Sequence, residues 1–227
     1  MNKLLKLNIR EKTILVKTPI VGELGPTALA RMLETITVAS FEPRDVLFHE
    51  GQIADCFYCV LSGYVRLCRL SKDGREADIR ICGPGETFGE CMLYLGPGYR
   101  YNAQAAETVT VARFDLQKVG VLAEQEKDVS KAIMQSLSRH LLSTMDCIAN
   151  DRLHTAPQRV AHYLLDICPQ DETSISIRLP FQKSLLAGKL GLAPEALSRA
   201  FSSLRDAGVS VRGRIVHIAD IMALRQV

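Results

Sequence analysis

Short apolar runs separated by glycine turns fill the first half of the chain. Between about Val38 and Phe114 they recur at residues 45–49, 56–63, 64–70, 77–81 and 108–114. Lys72-Asp-Gly-Arg75 lies between two of these runs and predicts a hairpin turn, because Asp-Gly readily adopts the positive φ angles of tight turns. Many short strands at regular spacing predict a small antiparallel β-barrel or roll.

A helical periodicity replaces this pattern near Leu116 and continues to about Asn150. Its apolar residues recur every three or four positions, and therefore share one side of a long helix: Val129, Ile133, Leu137, Leu141, Met145 and Ile148. Such a stripe needs a partner, which is either its own roll or a second copy of the helix across a dimer axis. The two kinds of packing can occur at different positions along the helix. We favour a dimer for at least part of it. Asn150-Asp151 interrupts the pattern and predicts a hinge.

The C-terminal part alternates helices with short strands. Thr155-Ala-Pro-Gln158 has the form of a capping box and predicts a helix over Arg159–Ile167, followed by a strand at Ser174–Arg178. Residues 181–205 then predict two helices joined by a tight turn at Gly191, with Pro194 in the first turn of the second helix.

The outer side of that second helix is polar. Glu195, Ser198 and Arg199 stand at i, i+3 and i+4, so they share one face near the start of the helix. Arginine can donate to guanine O6 and N7, glutamate can accept from the cytosine amino group, and serine can do either. On any helix surface the same spacing is also that of an ordinary Glu–Arg pair. The two-helix frame favours DNA base reading.

Basic and polar residues flank this helix pair. Gln182 and Lys183 open the first helix, where we expect phosphate contacts. Residues 209–218 predict a hairpin with Arg212 and Arg214 on either side of a glycine, which resembles a wing with two further phosphate contacts.

Composition limits the class of protein. Apolar residues make up 47% and charged residues 23%, and the net charge is only +3, so a DNA-binding surface must be a local patch. No apolar run approaches the ~20 residues of a membrane helix, and the N-terminus is a poor signal peptide, so we expect a cytoplasmic protein. Seven cysteines in irregular spacing predict buried thiols rather than disulfides. Cys56 and Cys59 should point to opposite faces of a strand, which favours core packing over a redox or metal role.

Taken together, these features resemble the CRP/FNR family of bacterial transcription regulators over nearly the whole chain. The matching segments are Val60-Leu-Ser-Gly63, Gly85-Glu-Thr-Phe-Gly-Glu90 and Glu195-Ala-Leu-Ser-Arg199. The resemblance implies an α+β protein: a jelly-roll-like antiparallel sensor domain over residues 1–115, a dimerisation helix over 116–150 and a winged helix-turn-helix over 151–227. It also implies a homodimer on a palindromic DNA site with TTGA-like half-sites, with RNA polymerase as a further partner.

The same resemblance raises two effectors for the roll. The family's cyclic-nucleotide cassette is half kept: Gly89, Glu90 and Arg100 match, whereas Tyr101 replaces the small hydroxyl residue. Thr144 would lie at the height of the nucleotide base. The Tyr-rich run 99–105 instead resembles the Dnr/NnrR-type branch, which responds to nitric oxide through haem. His49, His140 and His154 are axial candidates there, and none is singled out as a ligand. The first cysteine is Cys56, which argues against an N-terminal iron–sulfur cluster.

Two contrasting classes are weaker. An enzyme lacks support because the chain has no P-loop, no G-x-S-x-G and no H-E-x-x-H, so neither a catalytic nor a metal residue is assigned. A cAMP-binding regulatory protein without DNA function would not need the face formed by Glu195, Ser198 and Arg199. The sequence therefore predicts a ligand-responsive DNA-binding regulator.

Overall fold

Two compact units make up the structure, a computed structural model that describes residues 7–74, 76–169 and 173–227. Their contacts divide the chain into residues 1–143 and 144–227. Arg75, the last residue of the predicted hairpin turn, lies outside the described residues. None of the described helices combines the length and apolar character that a membrane crossing requires.

Three short helices precede the roll, and the apolar pattern did not predict them. They are α1 (Ile9–Val16), α2 (Pro19–Gly22) and α3 (Pro26–Glu34). Asn8 caps α1 in a capping box with Glu11, and prolines open α2 and α3. Leu15, Ile20 and Met32 are buried from these helices and pack into one hydrophobic cluster with strands of the roll.

Eight antiparallel strands form the roll, which confirms the predicted architecture. They are β1 (Ile36–Phe41), β2 (Val46–Phe48), β3 (Cys56–Ser62), β4 (Val65–Leu70), β5 (Glu76–Cys82), β6 (Thr87–Phe88), β7 (Asn102–Ala105) and β8 (Val109–Asp115). One sheet has the order β1-β8-β3-β6 and the other the order β2-β7-β4-β5. The predicted hairpin connects β4 to β5, and Gly74 in its turn has φ +77°.

Strand β3 is buried on both faces and separates two hydrophobic clusters. Phe57, Cys59 and Leu61 pack toward the N-terminal helices. Cys56 and Tyr58 belong to the aromatic cluster inside the roll. The two cysteines therefore point to opposite faces, as alternation along a strand predicts. Burial raises the pKa of the Cys56 thiol to about 11 and that of Cys59 to about 12, which keeps both thiols protonated and unreactive at neutral pH.

The predicted single helix from Leu116 is wrong in extent. After α4 (Met92–Leu95), the chain forms α5 (Leu116–Gln125) and α6 (Lys127–Leu153) as separate helices. Glu126 breaks them apart because its backbone is extended, with ψ 107°. The predicted hinge at Asn150-Asp151 is also misplaced, since α6 continues to Leu153 and the next helix is capped at Thr155. The spacing of apolar residues indicates which side of a helix is buried. It does not reveal a single extended residue that divides one helix into two.

The apolar stripe of α6 divides into two halves. Val129 and Ile133 are fully buried, and Leu137 packs against the same cluster of the roll. Farther along, the residues Leu141, Met145 and Ile148 are 63%, 57% and 47% exposed. The first half of the stripe therefore packs within its own chain, and the second half is exposed in the single chain.

The second unit has the predicted helix-turn-helix and wing. Its elements are α7 (Ala156–Asp166), β9 (Ile175–Arg178), α8 (Lys183–Lys189), α9 (Pro194–Ser203), β10 (Val209–Arg212), β11 (Ile215–Ile218) and α10 (Ile221–Leu224). The predicted capping box is confirmed: Thr155 is the N-cap of α7, and its N–H donates to Gln158 Oε1 at 3.0 Å. The helix therefore starts at Ala156, three residues before Arg159. The strands form one antiparallel sheet in the order β10-β11-β9.

Candidate DNA interface and sensor site

Helix α9 presents the three predicted base-reading residues together. The turn before it passes through Gly191 at φ +60°, and Pro194 occupies the first helical position. The inner face of α9 buries Leu197, Ala200 and Phe201. Because those residues fix which side of the helix is covered, Glu195, Ser198 and Arg199 are all exposed on the opposite side.

Serine hydroxyls along α9 bond back to the helix. Ser198 donates to the Pro194 carbonyl at 3.1 Å, and Ser202 donates to the Ser198 carbonyl at 3.1 Å. In this arrangement Ser198 offers lone pairs outward, so it is placed to accept from a base amino group or, after rotation, to donate.

A groove of about 350 Å³ runs beside the base-reading face. Its apolar side chains come from α9 and the first wing strand: Pro194, Leu197, Phe201, Val209 and Val211. Its polar side chains are two cations and three hydroxyls: Lys183, Arg205, Ser184, Ser198 and Ser202. Among the described residues no carboxylate lines the groove, and Ser198 belongs both to the groove and to the reading face. A polyanion therefore suits this groove electrostatically.

The four predicted phosphate contacts differ in availability. Gln182 caps α8, and the Lys183 ammonium lies 5.8 Å from the Phe201 ring centroid. Arg212 is exposed on the wing. Arg214 is half-buried, and its Nε and Nη2 donate to the Leu179 carbonyl at 3.0 and 2.9 Å. Arg214 thus fastens the wing to the segment before α8, whereas Arg212 points a guanidinium to solvent.

In the roll, Glu90 is the centre of a buried polar cluster. Only 1% of the residue is exposed. Its Oε1 accepts hydrogen bonds from Thr87 Oγ1 at 2.9 Å and Ser136 Oγ at 3.1 Å, and it lies 2.9 Å from His140 Nδ1. Burial alone would raise the pKa of Glu90, but the hydrogen bond and charge of His140, with help from Thr87, hold it below its ordinary value. This carboxylate therefore joins the β6 region of the roll to α6.

The predicted effector residues come together only in part. Gly89 adopts φ +88°, and its backbone hydrogen-bonds the Tyr101 phenol, whose ring packs in the aromatic cluster 5.8 Å from Phe48. Burial, reinforced by Cys91 and Glu90, raises the pKa of Tyr101. Arg100 is exposed and donates to the Leu95 carbonyl at 3.3 Å.

Of the candidate histidines, His140 contacts Glu90 and lies one helical turn before Thr144 on α6. Thr144 lies on the exposed part of α6, and His49 is exposed after β2. His154 stacks edge-on against His162 with centroids 4.5 Å apart. No group of three or more metal-ligating side chains occurs in the part of the chain that the structure describes.

Sequence reasoning missed the partners of Glu90. Ser136 and His140 stand at i, i+4 on α6, beside the buried Ile133 and the partly buried Leu137. Two polar residues on an otherwise apolar face were the available signal, because a buried polar side chain requires a partner.

Comparison with known proteins finds one family match in each of the two structural units. Residues 38–126 match the cyclic nucleotide-binding domain family, and residues 158–227 match the Crp-like helix-turn-helix domain family. The chain is 26% identical over 215 residues to a CRP-like cAMP-activated global transcriptional regulator of Mycobacterium tuberculosis, covering 91% of this chain and 95% of that protein.

Two solved structures extend the likeness to the fold. A Ruegeria pomeroyi protein provisionally described as cyclic nucleotide binding is 30% identical, with a TM-score of 0.67 over 96% of each chain. DNR from Pseudomonas aeruginosa is 27% identical, with a TM-score of 0.55 over 98% of this chain and 99% of that one. A sensor-type roll joined to a Crp-like helix-turn-helix defines a class of transcription regulators that are not enzymes. This chain belongs to the CRP/FNR family of those regulators.

The Glu90 cluster makes a testable contribution to stability. We expect Glu90→Gln to lower the free energy of unfolding at pH 7 by about 1–3 kcal/mol, because a buried charged acceptor of several donors is lost. A carboxyl with a lowered folded pKa stabilises the protein above its ordinary pKa of 4.5, and that contribution disappears as pH falls through the folded pKa. The difference between wild type and variant should therefore shrink below about pH 4.5.

Urea unfolding at one fixed protein concentration, repeated from pH 7 to pH 3, measures this difference. Glu124→Gln makes the same change at an exposed position on α5 and should leave stability nearly unaltered. A Glu90→Gln deficit that stays constant down to pH 3 would show that the carboxylate charge is not involved.

Proposed function

We propose that this chain is a homodimeric regulator that reads a palindromic DNA site with TTGA-like half-sites and that recruits RNA polymerase there. The observation that carries this proposal is the joint exposure of Glu195, Ser198 and Arg199 on α9. Arg199 suits a guanine and Glu195 a cytosine amino group, and both base types occur in such a half-site. A carboxylate close to DNA phosphates is unfavourable unless it gains a base donor, which favours sequence reading over general attraction.

The backbone of the DNA would pass over the groove beside α9. A helix inserted in the major groove is flanked by sugar–phosphate chains, and the groove meets the reading face at Ser198. Lys183 and Arg205 supply its positive charge, and Arg212 extends this charge along the wing. Arg214, which already holds the Leu179 carbonyl, would support the wing and contribute less charge to the phosphates.

Base reading and phosphate binding should separate in mutants. After a preferred site is selected from random duplexes, Arg199→Ala should weaken specific binding by about 10- to 100-fold and leave non-specific binding nearly unchanged. Arg212→Ala should weaken both kinds of binding equally and reduce the slope of log affinity against log salt by about one. Fluorescence anisotropy over a salt series measures the specific affinity, the non-specific affinity and the salt slope of each variant.

Arg10→Ala removes an equal charge from exposed α1 and serves as the control. Base reading by Arg199 is wrong if its alanine variant keeps the wild-type ratio of specific to non-specific affinity.

We further propose that the exposed half of the α6 stripe is the dimer interface. Leu141, Met145 and Ile148 follow directly on the buried half of the same stripe, so the helix continues to offer an apolar side where its own chain no longer covers it. A parallel pair of α6 helices across a two-fold axis would bury these residues. Such symmetry would match a palindromic site.

The double variant Leu141→Glu/Met145→Glu should be monomeric, because it places like charges opposite each other at the helix pair. Sedimentation velocity gives the oligomeric state, and circular dichroism confirms that the fold is retained. Val121→Glu makes the same kind of change at a 49%-exposed apolar position on α5 and should stay dimeric. A Leu141→Glu/Met145→Glu protein that still sediments as a dimer would rule out this face.

The residues of the roll do not fit the cyclic nucleotide that the family match implies. The Glu90 carboxylate is buried and carries donors from its own chain, the Tyr101 phenol lies against Gly89, and Arg100 turns to the Leu95 carbonyl. No ribose or phosphate group is matched by this arrangement. We therefore propose that the roll responds to a different effector, and haem with nitric oxide is the candidate indicated by the Tyr-rich run at residues 99–105.

Two titrations of the purified protein test the effector. Calorimetry with cAMP should show no saturable binding up to about 1 mM. A dissociation constant of about 1 mM corresponds to a binding free energy of about −4 kcal/mol, so any tighter binding would be detected. Haem titration is followed by absorption, and a Soret band that shifts with nitric oxide would assign the gas-sensing role. Saturable micromolar binding of cAMP would contradict our assignment of Glu90 and Tyr101.

A further inference from the structure

Arg159 joins two segments that are far apart in the chain. It lies in the first turns of α7, with only 15% of its side chain exposed. Its Nη1 forms an ion pair with Oδ1 of Asp151, near the end of α6, and donates to the Leu190 carbonyl at 3.0 Å. Leu190 caps the C-terminus of α8, where helix carbonyls lack partners within the helix. One guanidinium nitrogen thus ties the end of α6 to the turn of the helix-turn-helix.

The turn itself packs against this ion pair. A Cβ built on Gly191 would lie 3.1 and 3.2 Å from the Asp151 carboxylate oxygens and 3.5 Å from Arg159 Nη1. Gly191 also has φ +60°, a conformation that favours glycine. Arg159 Nε is buried and has no hydrogen-bond partner among the described residues. The ion pair with Asp151 and the hydrogen bond to Leu190 are both made by Nη1. The backbone from which α9 departs is therefore held at close range to the end of α6.

We propose that Arg159 is a positioning residue that sets the direction of α9 relative to the last turns of α6. Helix α9 begins three residues after Gly191, so a change in that turn changes where Glu195 and Arg199 point. If α6 pairs about the two-fold axis, the link fixes the separation and angle of the two recognition helices. This inference rests on the proposed function of a dimer that reads two half-sites.

A purely stabilising role predicts a different behaviour. Asp151 is 43% exposed, and an ion pair with a partner so open to water contributes little to folding stability. Loss of the link should therefore loosen the orientation of α9 more than it unfolds the domain. The quantity that separates these roles is the dependence of DNA affinity on half-site spacing.

The experiment uses full-length protein and duplexes whose two half-sites are separated by the preferred spacer or by one base pair more or less. One added base pair moves a half-site by ~3.4 Å and turns it by ~35°. Wild type should discriminate against the shifted spacers. In Arg159→Ala that discrimination should fall by about three- to tenfold, whereas affinity for a duplex with a single half-site should stay within about twofold.

Asp151→Ala removes the same link from the α6 side and should also flatten the spacer dependence, which covers the case that Arg159→Ala folds poorly. Arg152→Ala is the matched control, because it removes an equal charge from an exposed neighbouring residue of α6 and should behave as wild type. Thermal denaturation of each variant is measured in parallel.

Retention of the wild-type spacer ratio in both Arg159→Ala and Asp151→Ala would overturn the positioning role. The positioning role would also be overturned if the variants lost affinity equally for all duplexes, including the single half-site, in proportion to their loss in Tm. Wild-type protein that binds all three spacers equally would instead contradict the proposed two-site reading, and with it this inference.

Discussion

A carboxylate taken out of water needs donors in place of the water molecules it has lost, and Glu90 finds them on two different elements. Thr87 comes from the roll, whereas Ser136 and His140 come from α6. An unpartnered charge at this depth would be strongly destabilising, so the roll and the first half of α6 have to remain together while Glu90 is ionised. The contact between the roll and α6 therefore includes hydrogen bonds that require a defined geometry. Apolar packing such as that of Ile133 nearby has no such requirement.

Helix α6 has different neighbours along its length. Its first half is committed to the roll through Val129 and Ile133, and its last turn is tied to the DNA-binding unit through Asp151. Between them lies the exposed stretch around Leu141 and Met145. Coupling between two sites requires an element whose state both sites bias. Helix α6 is the element of this chain whose residues contact Glu90 at one position and, through Arg159, the turn before α9 at another.

The roll matches a cyclic nucleotide-binding family, but its side chains differ from the family's cyclic-nucleotide cassette, most clearly at Tyr101. The segment Gly85–Glu90 lies within the part of the chain that matches the cyclic nucleotide-binding domain family, yet Glu90 Oε1 accepts hydrogen bonds from the chain's own Thr87 and Ser136, and the Tyr101 phenol hydrogen-bonds the Gly89 backbone. The fold therefore supports the regulator class, while our proposal of a different effector rests on these side chains alone. Fold and function are separable in this way because a ligand site depends on a few side chains that can change without disturbing the sheets.

The sequence by itself determined the elements that depend on periodicity and local chemistry. Alternation located β3 and the opposite directions of Cys56 and Cys59, helical spacing located α6, and Gly191 with Pro194 marked the turn before α9. Only the tertiary structure decided which residues meet across long sequence distances: Glu90 with Ser136 and His140, and Arg159 with Asp151 and Leu190. It also decided where α5 ends and α6 begins, since one extended residue leaves the apolar pattern unchanged. Local patterns record the face that an element buries, whereas a partner is fixed only when the chain is packed.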